Sequence, residues 1–252
     1  MDPTLMHLAA LAAGFGGGVM NALAGGGTNL TFPTLLALGV DPILASSTST
    51  VCLGFGQALG AWAYRSQIQQ APRTWLWLGL PAVLGGALGG WLLVHTPSDT
   101  FRVLVPYLVL GGASVLALDP WLRRRFQLQG EREPGLSWCL GACGPVLLIA
   151  VYGGYFGAGM GFLMLATLGL LGVGSLQRAN GLKNLFGALL NLAAVGYFLA
   201  TGAVVWGVAG WMLAGALGGG YTGGRLAGRI PDRLLRPLMV ALGLGVGLLL
   251  LL

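Results

Sequence analysis

Residues 152–191 read YGGYFGAGMGFLMLATLGLLGVGSLQRANGLKNLFGALLN, and three features of this stretch set the terms for the rest of the chain. Lys183 is the only lysine of the protein, and the segmentation below makes it the only charged side chain well inside an apolar span. Asn180, Asn184 and Asn191 recur with it at helical spacing, so one polar stripe runs down an otherwise apolar helix. Upstream, GGYFGAGMG is too rich in glycine to hold an unbroken helix unaided. One cation, three carboxamides and a weak backbone at membrane depth predict a site for a small anion.

Composition agrees with that setting. Hydrophobic residues make up 56% of the 252 residues and charged ones 8%, with a mean hydropathy of +0.80. Soluble domains carry about 25% charged residues, so the sequence describes an integral membrane protein. The 46 glycines suit helices that approach backbone to backbone in lipid. Long unbroken apolar runs exclude a β-barrel. The net charge of +6 comes mostly from arginines between spans, which is the positive-inside bias and not a nucleic-acid surface. Cys52, Cys139 and Cys143 lie in or beside apolar segments without a CxxC or a histidine cluster, so they read as small buried hydrophobes; neither zinc nor another cofactor is expected. His7 and His95 fall near segment ends and read as interfacial. The N-terminal segment lacks the basic start of a signal peptide and is read as a first span.

Ten apolar segments follow, at roughly 4–23, 28–40, 43–64, 73–95, 100–119, 136–157, 159–172, 175–200, 203–222 and 233–252. The second and seventh reach only ~20 Å as helices, against a hydrocarbon core of ~30 Å. Each follows a glycine cluster, Gly25–Gly27 in one case and Gly157, Gly159 and Gly161 in the other. AGGGTNLTFPTLLALGV (24–40) aligns with GAGMGFLMLATLGLLGV (157–173) at an offset of 133. At an offset of 134 the next segments align, setting Ser46 on Asn180, Ser49 on Lys183, Thr50 on Asn184 and Gln57 on Asn191. The chain therefore reads as an all-α polytopic membrane protein of two five-segment repeats. The N-terminal repeat covers 1–119, a cytoplasmic basic linker 120–135, and the C-terminal repeat 136–252.

Counting outward from the linker places eleven arginines inside and only Arg102 outside, with both termini external. An odd number of segments per half makes the repeats inverted, whether segments 1–2 and 6–7 cross or form re-entrant hairpins. Tryptophans at 62, 75, 77, 91, 121, 138 and 206 cluster near predicted ends, as interfacial belts do.

Inverted repeats with interrupted segments at matching positions point to a midplane substrate site. A helix that starts inside the membrane directs unpaired N–H groups and the positive end of its dipole at what lies before it. Two such starts, near Thr28 and Gly161, are expected to face each other. Glycines allow close approach, and Thr28, Asn29, Ser46, Ser49, Thr50 and Gln57 add neutral hydrogen-bonding groups. Lys183 stands ~12 Å into its helix, where a charge costs roughly 2.5–3.5 kcal/mol to insert. No acid appears in the neighbouring spans, so either the substrate supplies the counter-charge or the empty amine is neutral. The competing reading is a lysine that snorkels to the cytoplasmic surface, with asparagines that merely bond between helices.

The paired motifs AGGGTNLTFPTLLALGVDPILASSTST and YFGAGMGFLMLATLGLLGVGSLQRANGLKNLFGALLN resemble those of the TauE/SafE (sulfite exporter, TSUP) family of bacterial membrane permeases, over nearly the whole chain. The glycine clusters, Pro33, the polar run after Ala45 and the Ala179–Asn184 run carry the likeness, whereas Ala166 stands where the second short segment might bear a proline. The resemblance implies transport of a small sulfur-containing anion (sulfite, a sulfonate such as sulfoacetate, or thiosulfate) across the bacterial inner membrane. Alternating access between the halves is the expected mechanism, with an anion channel or a non-transporting assembly partner as alternatives. Intramembrane catalysis is not expected, because no nucleophile with its base, paired acids or metal set lies inside the spans. If protons are coupled, Lys183 or the substrate must carry them, since no buried carboxylate offers a relay.

Overall fold

The protein, a computed structural model, is described for residues 2–23, 25–125, 136–173, 175–226 and 232–251. Its helices follow the predicted segments closely. They are α1 (Pro3–Leu23), α2 (Thr28–Ala37), α3 (Pro42–Ala63), α4 (Arg65–Gln69), α5 (Arg73–Leu76), α6 (Gly79–His95) and α7 (Ser98–Arg125). The second half gives α8 (Leu136–Tyr155), α9 (Met160–Leu170), α10 (Leu176–Ala200), α11 (Trp206–Leu226) and α12 (Asp232–Leu249). Among the described residues, Pro3–Leu23, Arg73–His95 and Gln177–Ala200 are long and apolar enough to cross a membrane. The fold is that of an all-α, multi-pass membrane protein.

Local chemistry explains the element ends. The Asp41 carboxylate accepts from the N–H of Ile43 at 3.0 Å, and Pro42 opens α3, the favoured first-turn arrangement. Ser175 caps α10 through the N–H of Arg178. The two short helices stop alike. Val40 and Gly39 donate back to Leu35 and Leu36, and Val173 and Gly172 donate back to Leu168 and Gly169. With Gly39 at φ 81° and Gly172 at φ 85°, both ends are Schellman caps closed by a left-handed glycine. At 10 and 11 residues, α2 and α9 are ~15–17 Å long, half of a bilayer core.

The layout differs from expectation in three places. The fourth segment remains one span, Arg73–His95, but a two-residue turn separates α5, which ends at Leu76, from α6, which starts at Gly79. A one-turn helix, α4, precedes it. The fifth segment continues as helix through Arg123–Arg125, so the first part of the 120–135 linker is helical and its remainder, 126–135, lies outside the described residues. Trp62, Trp77, Trp91 and Trp206 are exposed as a belt requires, but Trp75 is buried; the side chains of Trp121 and Trp138 lie outside those described. His7 stacks on Trp211, and His95 stacks on Trp91.

Packing runs between the halves rather than within them. α1 lies along α11, and α8 lies along α6. α3 packs on α11 and α10 on α6, α3 meets α10 at the centre, and α7 meets α12. Bare glycine Cα atoms permit these contacts. A side chain on Gly220 would collide with the carbonyl of Gly56, and one on Gly86 with the carbonyl of Leu190. In lipid, where apolar surface gives helices no reason to associate, such backbone contact is the source of packing energy. Phe32, Phe101 and Phe156 fill the space between α2, α7 and the end of α8, with Phe32 edge-on to Phe156 at 5.0 Å.

Candidate functional site

The first helix break, between α1 and α2, is built by Gly25 and Gly26 with φ of 84° and 123°. Its polar groups are closely used. The Asn21 carboxamide oxygen accepts from the N–H groups of Gly26 and Gly27, each at 3.1 Å. The Lys183 ammonium is fully buried and donates to the carbonyls of Asn21 at 2.8 Å and Ala22 at 3.2 Å. Asn184 adds a bond from its amide nitrogen to Ala22 O at 3.0 Å. The carbonyls that end a helix lack intrahelical donors and carry the negative end of its dipole. A cation at this depth therefore meets a compensating partial charge in the backbone of α1. With its amine held on these two carbonyls, Lys183 does not snorkel to the surface.

The second break, between α8 and α9, has the same backbone logic, with Gly157 at φ 80° and Gly159 at φ 74°. Its supports are hydroxyls. Tyr152 donates to Ala158 O at 2.6 Å, and Ser46 donates to Tyr155 O at 3.3 Å.

The two breaks touch. A side chain on Gly25 would strike the backbone of Gly161, and a Cβ on Gly157 would stand 3.5 Å from the Thr28 hydroxyl. Gly159 is turned away from this contact and packs on Gly112 of α7. On α3, Ser49 bonds Thr31 of α2 at 2.6 Å, and Thr50 is buried. Gln57 accepts from the Asn191 amide nitrogen at 2.9 Å, and its side chain lies over the bare Cα of Gly187. Asn180 is half-buried one turn before Asn184.

The structure thus joins Gly25, Gly26, Gly27, Thr28, Gly157, Gly161, Lys183 and Asn184 around the paired breaks, and places Ser46, Ser49, Gln57 and Asn191 in bonds between elements. Sequence reading missed Asn21 and Tyr152. Asn21 was visible as a lone carboxamide at the end of an apolar run, just before the glycines. Tyr152 gave no sign, because its role depends on where the chain turns after it.

Several buried polar atoms at the site have no protein partner. They are both amide atoms of Asn29, the amide nitrogen of Gln57, and the amide oxygens of Asn180 and Asn184. Buried groups of this kind are ordinarily satisfied, so they mark where a polar ligand gains most. Among the described residues, no group of three or more His, Cys, Asp or Glu stands ready to hold a metal.

Comparison with known proteins agrees with these features. A probable membrane transporter protein of Sinorhizobium sp (ORF9) is 30% identical over 98% of this chain and 94% of the relative. One from Haemophilus influenzae is 31% identical, over 95% and 92% respectively. The probable membrane transporter protein YfcA of Escherichia coli is 29% identical over 94% of this chain and 84% of its own length. These are names of membrane transporters and not of enzymes. No solved structure matches the chain. The family model "Sulfite exporter TauE/SafE" matches residues 10–250, and the chain, with its paired glycine breaks and buried lysine, belongs to that family.

Proposed function

We propose that this protein is a secondary transporter that moves a small sulfur-containing anion (sulfite, a sulfonate or thiosulfate) across the bacterial inner membrane by alternating access. The observation that carries the reading is the meeting of the two broken helices, Gly25 on Gly161, beside buried carboxamides without partners. In this reading the N–H of Thr28, which opens α2, and the side chains of Thr28 and Asn29 receive the anion, since the N–H groups of Asn29, Leu30, Met160 and Phe162 are used in the opening turns of α2 and α9. Lys183 and the glycines of the first break set the positive potential and the shape around it.

Two inverted repeats, α1–α3 with α6 and α7, and α8–α12, form the moving halves in this proposal, with both termini external and a cytoplasmic linker. Matched packing supports it. Gly56 and Leu190 occupy equivalent positions, as do Gly86 and Gly220, and each glycine of the second pair meets the corresponding member of the first. Gln57 and Asn191, also equivalent at a separation of 134, bond to one another; a residue bonded to its own counterpart belongs on the axis relating the repeats.

Reconstitution of the full chain in proteoliposomes tests the function. The expected result is saturable uptake of labelled sulfite or a sulfonate, accelerated by the same anion on the far side, and dependent on an imposed pH gradient if protons are coupled. Flux without saturation or counterflow would favour a channel. Absence of flux for every sulfur anion would remove the proposal.

A further inference from the structure

Asn29 is the second residue of α2 and is 3% exposed. Both its amide oxygen and its amide nitrogen lack a partner. Four residues on, Pro33 occupies the helix interior. A proline has no N–H, so the backbone carbonyl one turn before it, that of Asn29, loses its helical donor. At the mouth of the first break the Asn29 side chain presents one unpartnered acceptor oxygen and one NH2 group in a water-poor setting, whereas its backbone carbonyl points along α2 toward Pro33 and away from the mouth. The neighbouring backbone N–H of Thr28, in the opening turn of α2, adds a second donor.

A bare oxyanion offers only acceptors. It would satisfy the nitrogen of Asn29 and the Thr28 N–H, while facing the Asn29 amide oxygen with an oxygen of its own. An unmade hydrogen bond at a buried group costs about 1–3 kcal/mol, and apposed oxygens cost more.

Resting on the anion-transport reading above, we infer that the substrate class is an anion that also carries a hydrogen-bond donor. The acidic end accepts from Thr28 N–H and Asn29 Nδ2, and an O–H or N–H elsewhere on the same molecule donates to Asn29 Oδ1. Asn184, whose amide oxygen is also without a partner while its nitrogen bonds Ala22, offers a further acceptor of the same kind.

Two sulfonates of equal chain length test this directly: 2-hydroxyethanesulfonate, which has a donor, and ethanesulfonate, which has none. Their dissociation constants are measured by calorimetry on the purified full chain in nanodiscs. The hydroxylated probe should bind about tenfold more tightly, and Asn29→Leu should erase the difference. Equal affinity in the wild type overturns the inference while leaving anion binding intact, as does unchanged discrimination in Asn29→Leu. If neither sulfonate binds, the anion site itself is refuted and the inference with it. Should Asn29→Leu fail to fold, the wild-type pair still decides.

Discussion

The two short helices share a backbone plan but differ in chemistry. α2 opens with Thr28 and Asn29, contains Pro33, and follows a break held by an ammonium and two carboxamides. α9 opens with Met160 and Gly161, carries Phe162 and Ala166 at the positions matching Asn29 and Pro33, and follows a break held by two hydroxyls. Equal Schellman caps and equal left-handed glycines supply the geometry in both. Polarity is concentrated in one. A duplicated scaffold can thus form two similar breaks of unequal polarity, and in the proposed site recognition falls mainly to the first, with α9 as its apolar wall.

The strongest way to break this comparison is to remove the cation. Lys183→Met leaves the terminal carbonyls of α1 without their ammonium donor. Hydrogen bonds to charged groups are worth about 1.5–3 kcal/mol each, so transport should be lost and the denaturation midpoint should fall well below that of Tyr152→Phe. Wild-type flux in Lys183→Met would show that the first break needs no charge.

Contact between the breaks comes next. Gly25→Ala combines a left-handed backbone, costing about 1–2 kcal/mol, with a collision against Gly161, costing about 1–3 kcal/mol more. Gly39→Ala shares the positive φ but has no neighbour within 4 Å, so it isolates the backbone part. Thermal unfolding should separate the two substitutions clearly; equal shifts would mean that the breaks do not press on one another.

A double-mutant cycle on Gln57 and Asn191 probes the bond between equivalent positions. Each single change to leucine strands a buried amide and should cost about 1–3 kcal/mol, whereas the double change should be nearly neutral. Additive losses would argue against direct coupling.

Smaller effects are expected at Asn29 and Tyr152. Asn29→Leu removes buried polar atoms that have no protein partner, so stability should rise by about 1 kcal/mol while anion affinity falls. A loss of stability would mean that the amide is structurally engaged. Tyr152→Phe should cost about 1 kcal/mol and leave transport nearly unchanged, since the second break is read as a wall.

Much of the fold was legible because lipid imposes a length and a polarity on every span. The short segments at 28–40 and 159–172 emerged as α2 and α9 with only their ends trimmed. The glycine clusters at 25–27 and 157–161 marked the breaks, and Gly25, Gly26, Gly157 and Gly159 take positive φ there, as do Gly39 and Gly172 at the helix ends, which the sequence reading had not singled out. The turn near Trp77 was overlooked in the sequence although Gly79 and Pro81 mark it, since a proline leaves the Trp77 carbonyl without its helical donor. The helical continuation through Arg123–Arg125 was hidden, because arginine is a good helix former as well as a loop residue.

Sequence alone determined the class of the molecule and the interruption of its helices, since these follow from composition, residue period and backbone preference, all local properties. Only the tertiary structure decided what balances the ammonium. The carbonyls of Asn21 and Ala22 lie more than 160 positions away in the chain, and a backbone acceptor leaves no trace in side-chain identity. The same holds for Asn21, which takes up the Gly26 and Gly27 N–H groups once expected for the anion. Hydrogen-bond partners are chosen by packing across the fold, and packing is the one property that a linear pattern of residue types does not contain.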